Sequence, residues 1–113
     1  MGNNVWVKSG KVMDLLPSAG VTTTITGDGR YKDSPYTTFQ ATVVGTGAVT
    51  ATVVIDVSND GTNWVATPMG TITLSGTTSS SDGFTSSAPW KYVRARVTAI
   101  SGTGATVTVV MGV

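Results

Sequence analysis

Histidine, cysteine and glutamate are all missing from this chain of 113 residues. Without histidine and cysteine, the commonest general base and the strongest side-chain nucleophile are gone. Without cysteine there is also no disulfide to staple a small fold, and the redox compartment stays open. Charge is scarce. Lys and Arg number 7 and acidic residues 6, giving a net charge of +1 and a charged share of 12%, about half the typical ~25%. Such a balance offers phosphates and anionic lipid nothing to bind, so neither nucleic acid nor a membrane is expected as a partner. No apolar run approaches the ~18 residues of a membrane span. The start, Met1 to Lys8, lacks a basic segment followed by an apolar core. No secretory leader is expected, so a protein acting outside the cell would be released by another route, such as lysis. Trp6 stands where a myristoylation signal needs Ser or Thr.

Thr, Val, Gly and Ser fill the space left by the missing charge. The first two favour strands and the last two favour turns. The length suits one domain. The clearest segment is Val49 to Val57, where Val49, Ala51, Val53, Ile55 and Val57 alternate with Thr50, Thr52, Val54 and Asp56. Alternation of that kind predicts a strand with one buried face. It runs into Asp60-Gly61, a strong hairpin signal, and Trp64 follows. Further strands are predicted over 36–44, 63–67, 71–74, 84–86, 90–100 and 105–111. Between them, Ser75 to Gly83 reads as a long polar loop, the least structured part of the chain. Gly45-Thr46-Gly47 and Gly102-Thr103-Gly104 form two similar strand–turn–strand units. The expected fold is all-β: a single antiparallel β-sandwich, immunoglobulin-like or jelly-roll-like, with an N-terminal arm.

Residues 1–35 differ in texture from the body at 36–113. Short apolar runs (Val5 and Val7; Val12, Leu15 and Leu16; Val21 to Ile25) are broken by Gly, Asp and Pro17. This region reads as an arm or as a set of edge strands. Val5, Trp6 and Val7, with Leu15 and Leu16, are its candidate contacts to a neighbouring subunit. Deleting residues 1–18 is then expected to abolish assembly and leave the sandwich folded.

Catalytic and metal-binding groups are thin. The carboxylates are Asp14, Asp28, Asp33, Asp56, Asp60 and Asp82, and no spacing singles out a pair for acid–base work. Asp56-x-Ser58-x-Asp60-Gly61 matches the first half of a calcium loop, but Thr67 stands where the closing acid belongs. No enzyme, metal or cofactor is expected. On the strand from Trp90, burying Arg94 and Arg96 unpaired would be costly, so Val93, Ala95 and Val97 should face the core. Tyr92, Arg94 and Arg96 then form an outward ridge, at a subunit contact, solvated, or at a ligand site. Trp64 and Trp90 read as core or interface, and Trp6 as the likeliest tryptophan to meet a partner.

Two resemblances follow from these motifs. Ser58-Asn59-Asp60-Gly61-Thr62-Asn63-Trp64 and Trp90 to Val97 resemble the Asp-Gly-x-x-Trp hairpin and Tyr-Val-Arg strand of discoidin-type (factor 5/8 C-terminal) domains, over about a third of the chain. That family's motifs are framework and imply no binding residue here. The Thr/Val/Gly/Ser texture, the same hairpin, Tyr92 to Gly102 and the apolar C-terminal strand resemble small virion proteins of tailed bacteriophages and prophages. This resemblance implies a capsid decoration protein, or a tail or fibre component. Such a protein is made in the host cytoplasm and built into the virion as a homo-oligomer that binds other virion subunits. The rival reading is a carbohydrate-binding module touching a host surface glycan through Trp6, Trp64, Tyr92 and Arg94.

Overall fold

The structure, a computed structural model, describes residues 12–32 and 34–113. Val5, Trp6 and Val7 lie outside the described residues. Among those described, the strands in chain order are β1 (Val12–Asp14), β2 (Ile25–Thr26), β3 (Arg30–Tyr31), β4 (Thr37–Val44), β5 (Val49–Ser58), β6 (Gly70–Gly76), β7 (Ser79–Ser86), β8 (Tyr92–Ser101) and β9 (Thr106–Gly112). They build two antiparallel sheets. Sheet A runs β1-β9-β4-β7, and sheet B runs β2-β8-β5-β6, with β3 also paired to β8.

The pairing decides between the two expected sandwiches. β5 pairs with β6, β4 with β7, β2 and β3 with β8, and β1 with β9. That is one long antiparallel ribbon folded at the β5–β6 connection and rolled up, with β4–β9 and β5–β8 closing it. The fold is therefore a jelly roll, in which the chain changes sheet at every connection except β2–β3 and β5–β6.

The core forms where the alternation predicts it. Phe39, Ala41 and Val43 on β4 and Val49, Ala51, Val53, Ile55 and Val57 on β5 are buried between the sheets. They meet Ile72 and Leu74 from β6, Val93, Ala95 and Val97 from β8, and Val107, Val109 and Met111 from β9. The outer face of sheet A carries the hydroxyls and amide of Thr38, Gln40, Thr42, Ser81 and Thr108 alongside Asp14 and the exposed Val12 and Val44. Ser81 accepts a hydrogen bond from Gln40 at 2.9 Å and shares one with Thr42 at 2.7 Å. The two Gly-x-Gly turns meet at one end of the sandwich, where Thr46 N–H donates to the Thr103 carbonyl at 3.0 Å.

Several expectations need correction. Leu15 and Leu16 are 1% and 4% exposed, members of this chain's own core rather than contacts for a neighbour. Leu15 N–H donates to Val109 O, which continues the β1–β9 ladder and turns the side chain inward. Residues 12–32 are thus edge strands of both sheets. The strand expected over Val21 to Ile25 is split, because the chain crosses between sheets there. Val21 bridges Val107 in one layer, while Ile25 pairs with Val97 in the other. Ser75 to Gly83 is not a loop: all eight residues of β7 pair with β4. Backbone pairing on one side suffices for an edge strand, which leaves little apolar signal in its side chains. Residues 63–67 form no strand and belong to the β5–β6 connection. On β8, a register shift opposite Thr52/Val53 leaves Thr98 unpaired and reverses the facing. Ala99 is exposed as a result, and Ile100 packs on the core in its place.

Lys32 is the unexpected buried cation, 3% exposed. Its Nζ donates to the carbonyls of Ser34 at 3.0 Å, Pro35 at 3.3 Å and Ala88 at 2.7 Å. Burial, with repulsion from Lys91 second, pulls its pKa below the ordinary lysine value. The carbonyl dipoles stabilise the ammonium and tie two distant segments together at this end of the sandwich.

Candidate interaction surface

The outward positions of β8 and β5 share the outer face of sheet B. Asp56 lies directly opposite Arg94, and Val54 opposite Arg96, so Arg96 reaches Asp56 on the diagonal. Arg94 Nε donates to Asp56 Oδ2 at 3.1 Å. Arg96 donates from Nε to Oδ2 at 2.9 Å and from Nη2 to Oδ1 at 3.2 Å. The Asp56 side chain is 3% exposed, against 25% and 35% for the two arginines. The carboxylate is therefore roofed by its own counter-ions. Burial alone would raise its pKa, but the hydrogen bonds from Arg96 and Arg94, with their charges, outweigh it and hold the pKa below the usual value. The same bonds raise Arg96. Two cations on one anion leave the cluster with a net positive charge and with guanidinium N–H groups beyond those that Asp56 takes.

Aromatic rings complete the surface. The Arg94 guanidinium carbon sits 4.4 Å from the centroid of the Trp64 ring, a cation–π contact. A Cβ at position 29 would come within 2.9 Å of Trp64 Cζ2, so Gly29 is what lets the indole settle there. Tyr31 on β3 is paired with Tyr92 on β8, and their rings meet edge-on at 5.5 Å. Tyr31 is 55% exposed.

The β5–β6 connection delivers Trp64. Gly61 takes a φ of +75°, the left-handed turn conformation that glycine adopts without a steric penalty. Ser58 Oγ, at the buried end of β5, accepts from the backbone N–H groups of Asp60 and Gly61 and donates to Asn63 O at 2.7 Å. Asp60 accepts from the N–H groups of Thr62 and Asn63, both at 2.8 Å, and from Asn63 Nδ2 at 2.9 Å. Asn63, then Thr62 and Ser58, hold its carboxyl far below the usual range. The turn is thus an anion satisfied by N–H donors, the reverse of a cation site. No group of three or more His, Cys, Asp or Glu able to hold a metal occurs among the described residues.

Of the predicted contacts, the structure gathers Tyr92, Arg94 and Arg96 on one face. Leu15 and Leu16 are in the core. Trp64 joins the surface as a support for Arg94, whose guanidinium lies over one face of its ring. Asp56 and Tyr31 were not predicted as members, because their places follow from cross-strand register. The signal for Asp56 was its outward position on a strand otherwise free of charge. No protein-family model matches the chain, and neither a curated protein nor a solved structure matches it.

Proposed function

We propose that this chain is a non-enzymatic structural protein of a bacteriophage virion, a capsid decoration protein that binds other virion subunits. The platform of Tyr31, Tyr92, Trp64, Arg94 and Arg96 is its contact surface. The observation that carries this reading is the Asp56 lock. Two arginines, long side chains that ordinarily cost entropy to immobilise, are already held in place beside aromatic rings. Arg, Tyr and Trp are the residues that dominate binding energy at protein interfaces, and prior ordering lowers the cost of association. The jelly roll adds support by analogy of fold, since viral capsid domains use it. The hydroxyl-rich centre of the outer face of sheet A suits a surface turned to solvent. Val5, Trp6 and Val7 remain proposed as a second contact. A tail or fibre component uses the same platform with a different neighbour.

The test is density-gradient purification of the particles released by cells carrying the gene, followed by quantitative mass spectrometry. Peptides of this chain should co-purify with the particle at a fixed ratio to its major shell protein. A chain found only in the soluble fraction would exclude the reading.

A further inference from the structure

At the end of sheet A, the start of β4, the end of β7 and the end of β9 surround a groove of about 520 Å³, within the size range of small-molecule sites. Its wall combines Tyr36, Thr37, Thr85 and Ser87 with Val12 and Val113, and among the described residues no Asp, Lys or Arg lines it. Thr37 is only 3% exposed, and its Oγ1 is a buried polar atom with no hydrogen-bond partner among the described residues. A buried hydroxyl without a partner is costly, and such atoms are uncommon in folded proteins. Tyr36 is the opposite case: a large ring left 75% exposed on the rim.

The rims are fixed by the buried ammonium of Lys32. It holds the carbonyls of Ser34 and Pro35, just before Tyr36, and the carbonyl of Ala88, just after Ser87. Ser34 Oγ braces the same turn by accepting from Tyr36 N–H at 3.2 Å. A lysine buried solely to clamp two loops gives the groove a preset width.

We infer that this groove binds a neutral saccharide. Hydroxyl side chains both donate and accept, which matches the paired donors and acceptors of a sugar ring. An exposed tyrosine offers an apolar face and a polar tip, and the two valines offer further apolar area for the C–H face of a pyranose. The lack of a charged side chain among the described lining residues disfavours phosphorylated or acidic ligands. The site is distinct from the arginine platform on sheet B, and the inference stands whether or not the chain is a virion protein.

The test is two-dimensional amide NMR of the full chain titrated with maltose, cellobiose, lactose and mannobiose, alongside sialyllactose as an acidic control. At least one neutral disaccharide should move the amides of Tyr36, Thr37, Thr85 and Ser87 saturably. Tyr36→Ala should weaken that binding roughly fivefold or more. Thr85→Val keeps the branched shape and removes an exposed groove hydroxyl; it should weaken that binding roughly fivefold while leaving the melting temperature unchanged. A Thr85→Val variant that binds normally would overturn the inference. It is likewise overturned if none of the neutral sugars moves these amides, if only sialyllactose does, if the shifts fall at Trp64 and Tyr92, or if the amides move with protein concentration alone, which would mark a second copy as the occupant.

Discussion

Arg96 donates two hydrogen bonds to Asp56 across neighbouring strands, on the diagonal rather than directly opposite, at 2.9 and 3.2 Å. Arg94, the residue directly opposite, adds a third at 3.1 Å. Asp56→Asn should therefore leave two like charges side by side over a weaker acceptor. It should cost about 1–3 kcal/mol at neutral pH, measured by urea unfolding.

The same pair sets an acid limb of stability. The folded Asp56 pKa is depressed, as is that of Asp60. Their contribution is fully present above the unfolded value of about 3.9 and is lost as pH falls through the folded values. Wild type should lose stability steadily below about pH 4. The Asp56→Asn penalty should shrink over that interval, and an Asp56→Asn, Asp60→Asn double variant should show a flatter profile. A penalty that stays constant down to pH 2 would mean that Asp56 does not keep its charge through these arginines.

Leu15→Ala should cost about 2–5 kcal/mol, the range for truncating a fully buried leucine, because its side chain belongs to the sandwich core. A chain lacking residues 1–18 should then fail to give a cooperative thermal transition. Full stability without those residues would return Leu15 and Leu16 to the role of an external arm.

Ser58→Ala should cost about 1–2 kcal/mol, since a buried hydroxyl is the acceptor for two N–H groups of the turn. Hydrogen exchange should speed up at Asp60 and Gly61 well before it does in β5. Unchanged protection would show that Asp60 alone holds the turn.

The inner faces of β4, β5, β8 and β9 were legible because apolar residues alternate there with polar ones, and burying one face dictates that pattern. β7 was not legible. Its side chains are mostly serine and threonine, and what makes Ser79–Ser86 a strand is its full pairing with β4, a partner nearly forty residues away. The bulge at Thr98 was hidden for a related reason: period-two reading has no means of seeing an extra residue that the partner strand leaves unpaired. For the surface, repulsion between charge and core correctly turned Arg94 and Arg96 outward. Their union with Asp56, Trp64 and Tyr31 depends on which strands become neighbours, and the jelly-roll pairing decides that. Nothing in the local pattern marks Lys32 for burial, because the Ala88 carbonyl that it binds is brought to it only by the fold.

The central claim is that the sheet B platform attaches the chain to its particle. The most direct measurement is rebinding of purified full-length chain to particles depleted of it, comparing wild type with a Tyr31→Ala, Arg94→Ala variant whose thermal unfolding matches wild type. Wild type should bind saturably, and the variant at least about tenfold more weakly, the loss expected when two anchor residues go. Equal saturation curves for the two proteins would contradict the account.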